Sequence, residues 1–268
     1  MKYSFLLFCS LCVSLLHAQT DSSHYFVSFD KTRIYYEDKG SGYPVVLIHG
    51  FLNTGQNWKR TAVYKVLLKA GYRVIIPDLR GNGKSDKPHT DDAYSNNTEA
   101  KDVIALADSL NIKSYYVIGY SRGSIITASL LVMDKRIRKA VLGGMGTDFT
   151  NPDWPRRNMF YHVLNGDTIV PQLAPLLKRI QSDSTLDRIS LILQQKEQPS
   201  TSVEVLRAVK KPVLVICGSE DSDNGNAKAL APLFKNGKYA EVPGDHGGAV
   251  VTKEFSDAVI QFLSGSKH

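Results

Sequence analysis

Eight short runs of β-branched and aromatic residues recur along the chain, each closed by turn residues. They are residues 24–30 (HYFVSFD), 33–38 (RIYYED), 43–50 (YPVVLIHG), 72–78 (YRVIIPD), 114–120 (SYYVIGY), 137–144 (IRKAVLGG), 211–218 (KPVLVICG) and 238–244 (KYAEVPG). Runs of this length and composition predict strands, and the first two read as a leading hairpin. Helix-like segments lie between them near residues 56–70, 98–110, 122–133 and 226–235, with a last one near 251–264. Strands that alternate with helices predict an α/β fold: a mostly parallel central sheet covered by helices on both faces. In such a sheet the loops at the carboxyl ends of the strands form the ligand crevice. One stretch, about residues 146–209, breaks the alternation. It holds helix-like pieces (FYHVLNG, QLAPLLKRI, LDRISLILQQ) and prolines at 152, 155, 171, 175 and 199.

A chain of 268 residues, 43% hydrophobic and 22% charged, suits one globular domain with an insertion. Its first residues have a different character. Met1 and Lys2 precede an apolar stretch over 3–16 and then HAQT, the layout of a secretory signal peptide cut between Ala18 and Asp21. A membrane span needs about 20 apolar residues, and this run is shorter and carries Ser4, Ser10 and Ser14. The expectation is a leader over 1–20, a mature domain over 21–268, a secreted or periplasmic location, and no stable membrane span after cleavage. Cys9 and Cys12 fall in that leader, which leaves Cys217 alone and without an internal disulfide partner. At the end of an apolar strand, Cys217 reads as a small buried hydrophobe.

The formal charge of +7 does not point to nucleic acid, because the basic residues are scattered. The densest run, KRIRK at 135–139, reads as a solvated connection into a strand, and no nucleic-acid-binding module is visible. A small-molecule substrate is the expected partner. The histidines are dispersed and no H-E-x-x-H spacing occurs, so neither a metal nor an organic cofactor is expected. GNGKS at 81–85 ends like a phosphate-binding loop, but the first glycine of that motif would fall on Asp78.

The chemistry concentrates at VIGYSRGS, residues 117–124. G-x-S-x-G is permissive by itself. Here it joins an apolar strand to the apolar helix that starts at Arg122, and that context presents a serine hydroxyl at a tight turn. The glycines let strand and helix approach each other. The Arg122 amide lies at a helix start, where N–H groups are unpaired and the dipole favours negative charge.

Four signatures in order then make the chain resemble the α/β-hydrolase family: HGF at 49–51, DLRGNGKSDKP at 78–88, GYSRG at 119–123, and GSED at 218–221 followed by GDHGG at 244–248. The resemblance implies that Ser121 is the nucleophile, His246 the general base and Asp221 the acid that orients the histidine. Asp223, two residues on, and Asp148, after the preceding strand, are the other acids in family-like places. The backbone N–H groups of Phe51 and Arg122 would form the oxyanion hole. His49 looks like the family's structural histidine, and Asp78 and Arg80 look loop-fixing. Residues 146–209 look like the family's small helical cap, where Trp154, Phe160, Tyr161 and Leu191 line a pocket or pack the cap itself. Relatives that open epoxides or displace halide carry aspartate at the elbow, so serine implies acyl transfer on an ester, lactone or thioester. The alternatives on the same fold are a carbon–carbon hydrolase, a lyase, a cofactor-free haloperoxidase and an aminopeptidase-like amide hydrolase. The last would need a carboxylate from Asp153, Asp167, Asp183, Asp187, Glu197 or Glu204. A non-catalytic binding protein fits less well, because every triad position is filled.

Overall fold

A computed structural model describes residues 22–265. The expected leader lies outside the described residues. Eight strands form one sheet in the order β1-β2-β4-β3-β5-β6-β7-β8. They are β1 (Ser22–Val27), β2 (Arg33–Lys39), β3 (Pro44–Ile48), β4 (Arg73–Pro77), β5 (Tyr115–Tyr120), β6 (Ile137–Gly143), β7 (Pro212–Gly218) and β8 (Asn236–Val242). β1 and β2 form the expected hairpin and β2 pairs antiparallel with β4, while every pairing from β4 to β8 is parallel. The mostly parallel sheet predicted from the alternation is therefore the observed one.

The central strands read as continuous apolar runs because both of their faces are covered. Successive side chains point to opposite faces. Val46, Ile48, Val117, Val213 and Val215 pack under α3 (Thr98–Ser109), α4 (Arg122–Met133), α8 (Val203–Arg207) and α9 (Ala227–Leu230). Val45, Leu47, Ile118, Leu214 and Ile216 pack under α1 (Gln56–Lys59), α2 (Ala62–Lys69) and α10 (Lys253–Ser264). Each such side chain contributes about 1.5–3 kcal/mol by leaving water. α4 is buried on nearly all sides, which explains why its sequence is apolar throughout rather than amphipathic.

Between β6 and β7 lie α5 (Pro155–Asn165), α6 (Ala174–Ser182), α7 (Arg188–Lys196) and α8. α5 starts five residues before the expected FYHVLNG piece because Pro155 is already suited to a first turn. Asp187 caps α7 by accepting from the Ser190 amide at 2.7 Å. α8, capped by Ser202, has no counterpart among the expected helices. The segment expected as one helix over 226–235 is a single α-turn followed by a 3-10 turn at Pro232, whose ring cannot continue the ladder. In the run 135–139, Lys135 and Arg138 are exposed as the solvated reading expects, but Lys139 departs from it. Lys139 is buried and donates to the carbonyls of Phe262, Leu263 and Gly265, capping the end of α10. Among the described residues no helix is long and apolar enough to cross a membrane.

Candidate active site

Parallel pairing brings the carboxyl ends of β3, β5, β7 and β8 to one edge of the sheet, and their following loops carry Phe51, Ser121, Asp221 and His246. Ser121 sits between β5 and α4 with φ 55° and ψ −125°. That conformation costs a non-glycine residue on the order of 1–3 kcal/mol. The turn is held by the Ser121 amide donating to Gly143 O at 2.8 Å and by the Ser124 amide donating to Ser121 O at 2.8 Å.

The flanking glycines are needed because of close approach. A Cβ at Gly119 would stand 2.2 Å from Gly123 O, and one at Gly123 would stand 2.2 Å from Ile48 O. Both obstacles are backbone, so neither can move aside cheaply. Gly123→Ala is expected to cost on the order of 3 kcal/mol in denaturant unfolding. A loss under about 1 kcal/mol would show that β3 and α4 are not in contact there.

His246 lies in the loop after β8. Asp245 holds this loop by accepting from the Gly247 and Gly248 amides at 3.1 and 2.7 Å, and the Tyr120 hydroxyl donates to His246 O at 2.7 Å. The imidazole bridges two of the residues singled out from the sequence. Nδ1 lies 2.9 Å from Asp221 Oδ2, and Nε2 lies 2.9 Å from Ser121 Oγ. An ionised carboxylate only accepts, so Nδ1 carries the proton and Nε2 is left to accept from the serine hydroxyl.

The Asp221 side chain is 1% exposed. Burial pushes its carboxyl up, but the hydrogen bond and charge of His246, the Asp223 amide and the Cys217 thiol outweigh this, and the net is below the ordinary carboxylate range. A group depressed in this way keeps its contribution to the fold above its unfolded pKa and loses it as pH falls through the folded value. The same carboxylate acts on Cys217, whose Sγ is 3.4 Å from Asp221 Oδ2. Burial first, then that charge, push the thiol up to about 12. At pH 8 only about one thiolate in 10⁴ is present, so Cys217 is expected to resist iodoacetamide in the folded protein. Rapid native alkylation, followed by mass spectrometry, would refute this environment.

The other acids do not meet the histidine ring. Asp148 lies against Gly225. Asp223 bonds Arg156 Nη2 at 3.1 Å, although one of its oxygens lies within 4.8 Å of the ligand atoms of Asp221 and His246. A cation bound by those three would use the same atoms that form the serine–histidine–aspartate row. Asp167, Asp183 and Asp187 are engaged with His162, Thr185 and the α7 cap respectively. His49 is buried; it accepts from the Leu79 amide at 3.0 Å and its Nδ1 lies 2.9 Å from Gly50 O. Those partners fix one neutral tautomer, and burial lowers its pKa. Asp78 accepts from the Gly55 and Lys84 amides, and Arg80 bonds Asp30, Asp102 and Ala93 O, so both fix loops.

The amides of Phe51 and Arg122 donate to no protein acceptor among the described residues. Trp154 and Leu191 are buried in packing, whereas the Phe160 ring stands 6.1 Å from that of Phe51. Tyr161 lines a side cleft of about 280 Å³ with Arg157, His162 and Lys196. A wider cleft of about 570 Å³ is lined by Pro155, Met159, His162 and Val170 and includes none of Ser121, Asp221 or His246. The hydrogen-bonded row of Ser121, His246 and Asp221 lies outside both clefts.

The model of the α/β hydrolase fold matches residues 43–177, half of the chain. The chain belongs to the α/β-hydrolase family. It is 37% identical over 133 residues to a non-heme chloroperoxidase of Streptomyces lividans, covering 46% of this chain and 47% of that one. The chain thus spans about half the length of this relative and less of others that it matches, such as 36% of an epoxide hydrolase of Caballeronia sordidicola. Solved structures with a similar fold include a bromoperoxidase of Bacillus anthracis (26% identity, TM-score 0.75, 90% of this chain and 99% of that one). An esterase of a Rhodococcus species is also similar (26% identity, TM-score 0.68, 91% and 99%).

Sequence reasoning passed over several residues around this α/β-hydrolase site. Tyr120 stands beside the motif, and its neighbour Ser121 was the available signal; Cys217 is the small buried residue expected, but its contact with Asp221 was not anticipated. Asn224 donates to Gly144 O and lies 3.5 Å from His246 Nδ1. Glu99 pairs with Arg122 through both carboxylate oxygens. The available signal for Glu99 was an arginine at the head of an otherwise apolar helix, because a buried guanidinium requires a counter-charge.

Proposed function

We propose that the protein is a serine hydrolase of carboxylic ester-type substrates, an ester, lactone or thioester, working through an acyl-enzyme on Ser121. The observation that carries this is the unbroken row from Asp221 Oδ2 to His246 Nδ1 and from His246 Nε2 to Ser121 Oγ, 2.9 Å at each step. A serine hydroxyl is a weak nucleophile at neutral pH and needs an adjacent base. In the proposed course Ser121 Oγ attacks the carbonyl carbon while its proton passes to His246 Nε2. Asp221 holds the imidazolium, and the Phe51 and Arg122 amides donate to the developing oxyanion. The leaving alkoxide or thiolate departs with the proton from Nε2. Water then gives a proton to Nε2, attacks the acyl carbon and releases the acid, restoring Ser121. No metal or cofactor enters these steps. The helices between β6 and β7 act as a cap, and Phe160 of that segment packs edge-on against Phe51.

The likeness to a chloroperoxidase and a bromoperoxidase supports a second reading, peroxide-dependent halogenation at the same serine. One experiment separates the readings. Intact mass after exposure to a fluorophosphonate should show a single adduct that Ser121→Ala and His246→Ala abolish. Ester hydrolysis and bromide-plus-peroxide halogenation are then assayed side by side. Labelling with ester turnover supports the hydrolase, and labelling with halogenation alone supports the second reading. A folded wild-type protein that takes no label removes acyl transfer. Export is tested separately by the N-terminus of the mature protein, expected within residues 19–21.

A further inference from the structure

Arg122 does more than supply a backbone amide. Its side chain is 4% exposed. Nη1 and Nη2 donate to the two oxygens of Glu99 on α3 at 2.8 and 2.5 Å, and Nη2 also donates to Gln194 O on α7 at 3.2 Å. The Gln194 side chain continues the contact, donating to Arg80 O at 3.1 Å and to Asn82 Oδ1 at 2.6 Å. One end of α7 is thus seated on the residue that follows the nucleophile. The second oxyanion residue is also held from the same segment. Phe160 on α5 packs on Phe51, and Arg179 Nη2 on α6 donates to Leu52 O at 3.2 Å.

We propose that Arg122, locked by Glu99, is a positioning residue through which the seated cap sets the oxyanion hole. This rests on the acyl-transfer reading above. A buried ion pair is a poor source of stability, since well-packed apolar residues of similar size often do as well or better. Apolar side chains cannot hold a carbonyl of α7 at a defined distance from the start of α4, and the guanidinium fork can. The geometry has to be tight: functional groups need placement within about 0.5 Å, and an error near 1 Å costs about 10²-fold in rate.

The test compares the wild type with Arg122→Met/Glu99→Leu, which replaces the pair by apolar side chains and leaves no charge buried alone. Thermal midpoint, kcat and KM for an ester, and the rate of phosphonylation by a fluorophosphonate are measured together. The expected result is a midpoint near that of the wild type, kcat lowered about 10- to 100-fold, KM changed less than about threefold, and phosphonylation slowed in proportion to kcat. Wild-type kcat and labelling in this variant would overturn the proposal and leave the pair a purely structural one. Should the double variant fail to fold, Arg122→Lys keeps the charge but loses the fork. It is expected to show the same fall in kcat, and unchanged turnover there overturns the proposal equally. A wild type that takes no label overturns the acyl-transfer reading and this proposal with it, a pattern distinct from equal labelling of wild type and variant.

Discussion

Ser121→Ala is expected to lower kcat for any ester the wild type hydrolyses by about 10⁶-fold, His246→Ala by a similar factor, and the two together by no more than either alone. The reason lies in the row of 2.9 Å contacts. A hydroxyl without a base and a base without a hydroxyl are equally unable to form the acyl-enzyme, so the first loss removes the shared step. The remaining rate, about 10³- to 10⁴-fold over water, would come from binding and the oxyanion amides. Turnover at saturating ester, with phosphonylated wild type as the blank, measures the loss. If Ser121→Ala kept activity within tenfold of wild type while His246→Ala lost it, His246 would be acting directly on water or substrate. The carbon–carbon hydrolase and lyase readings would then lead.

Asp221→Asn is expected to lower kcat by about 10⁴-fold, with a modest fall in the thermal midpoint at neutral pH from the lost carboxylate contribution. The amide has nearly the shape of the carboxylate, so the loop after β7 keeps its path. An amide can present an N–H to Nδ1, however, and that favours the tautomer whose Nε2 is already protonated and cannot take the serine proton. It also removes the charge that offsets the imidazolium. Asp223 does not substitute, because Arg156 holds its carboxylate at 3.1 Å while the Asp221 side chain alone is buried against the ring. Asp223→Asn is accordingly expected to change kcat by less than about threefold, as for an exposed ion pair. An Asp221→Asn variant within tenfold of the wild type would place the orienting acid elsewhere. The double variant Asp221→Asn/Asp223→Asn would then identify it.

The helical segment between β6 and β7 shows where reading the chain was harder. Its pieces were recognisable as helices, but their starts depended on Pro155, Asp187 and Ser202, whose effect is local and easily mistaken for loop chemistry. Which of its aromatic residues face the crevice was not readable at all. Trp154 faces the core and Phe160 faces Phe51, although both belong to the same short stretch of chain. The direction of each depends on how α5 is rotated, and that is set by neighbours distant in sequence.

The sequence by itself determined the alternation of strands and helices, the parallel sheet and the tight turn around Ser121. Periodicity, glycine and proline act over a few residues, and the edge where parallel strands end follows from their pairing. The family-like motifs already singled out Asp221, but only the tertiary structure decided how Asp223 and Asp148 are kept from His246 and where the side chain of Arg122 goes. Ser121 and His246 are 125 residues apart, and Arg122 lies 72 residues from the α7 carbonyl it bonds. Asp148, Asp221 and Asp223 are chemically alike in the sequence. What separates them is distance to one imidazole and the competing claim of Arg156, and both arise only when the sheet, α4 and the helical segment pack together.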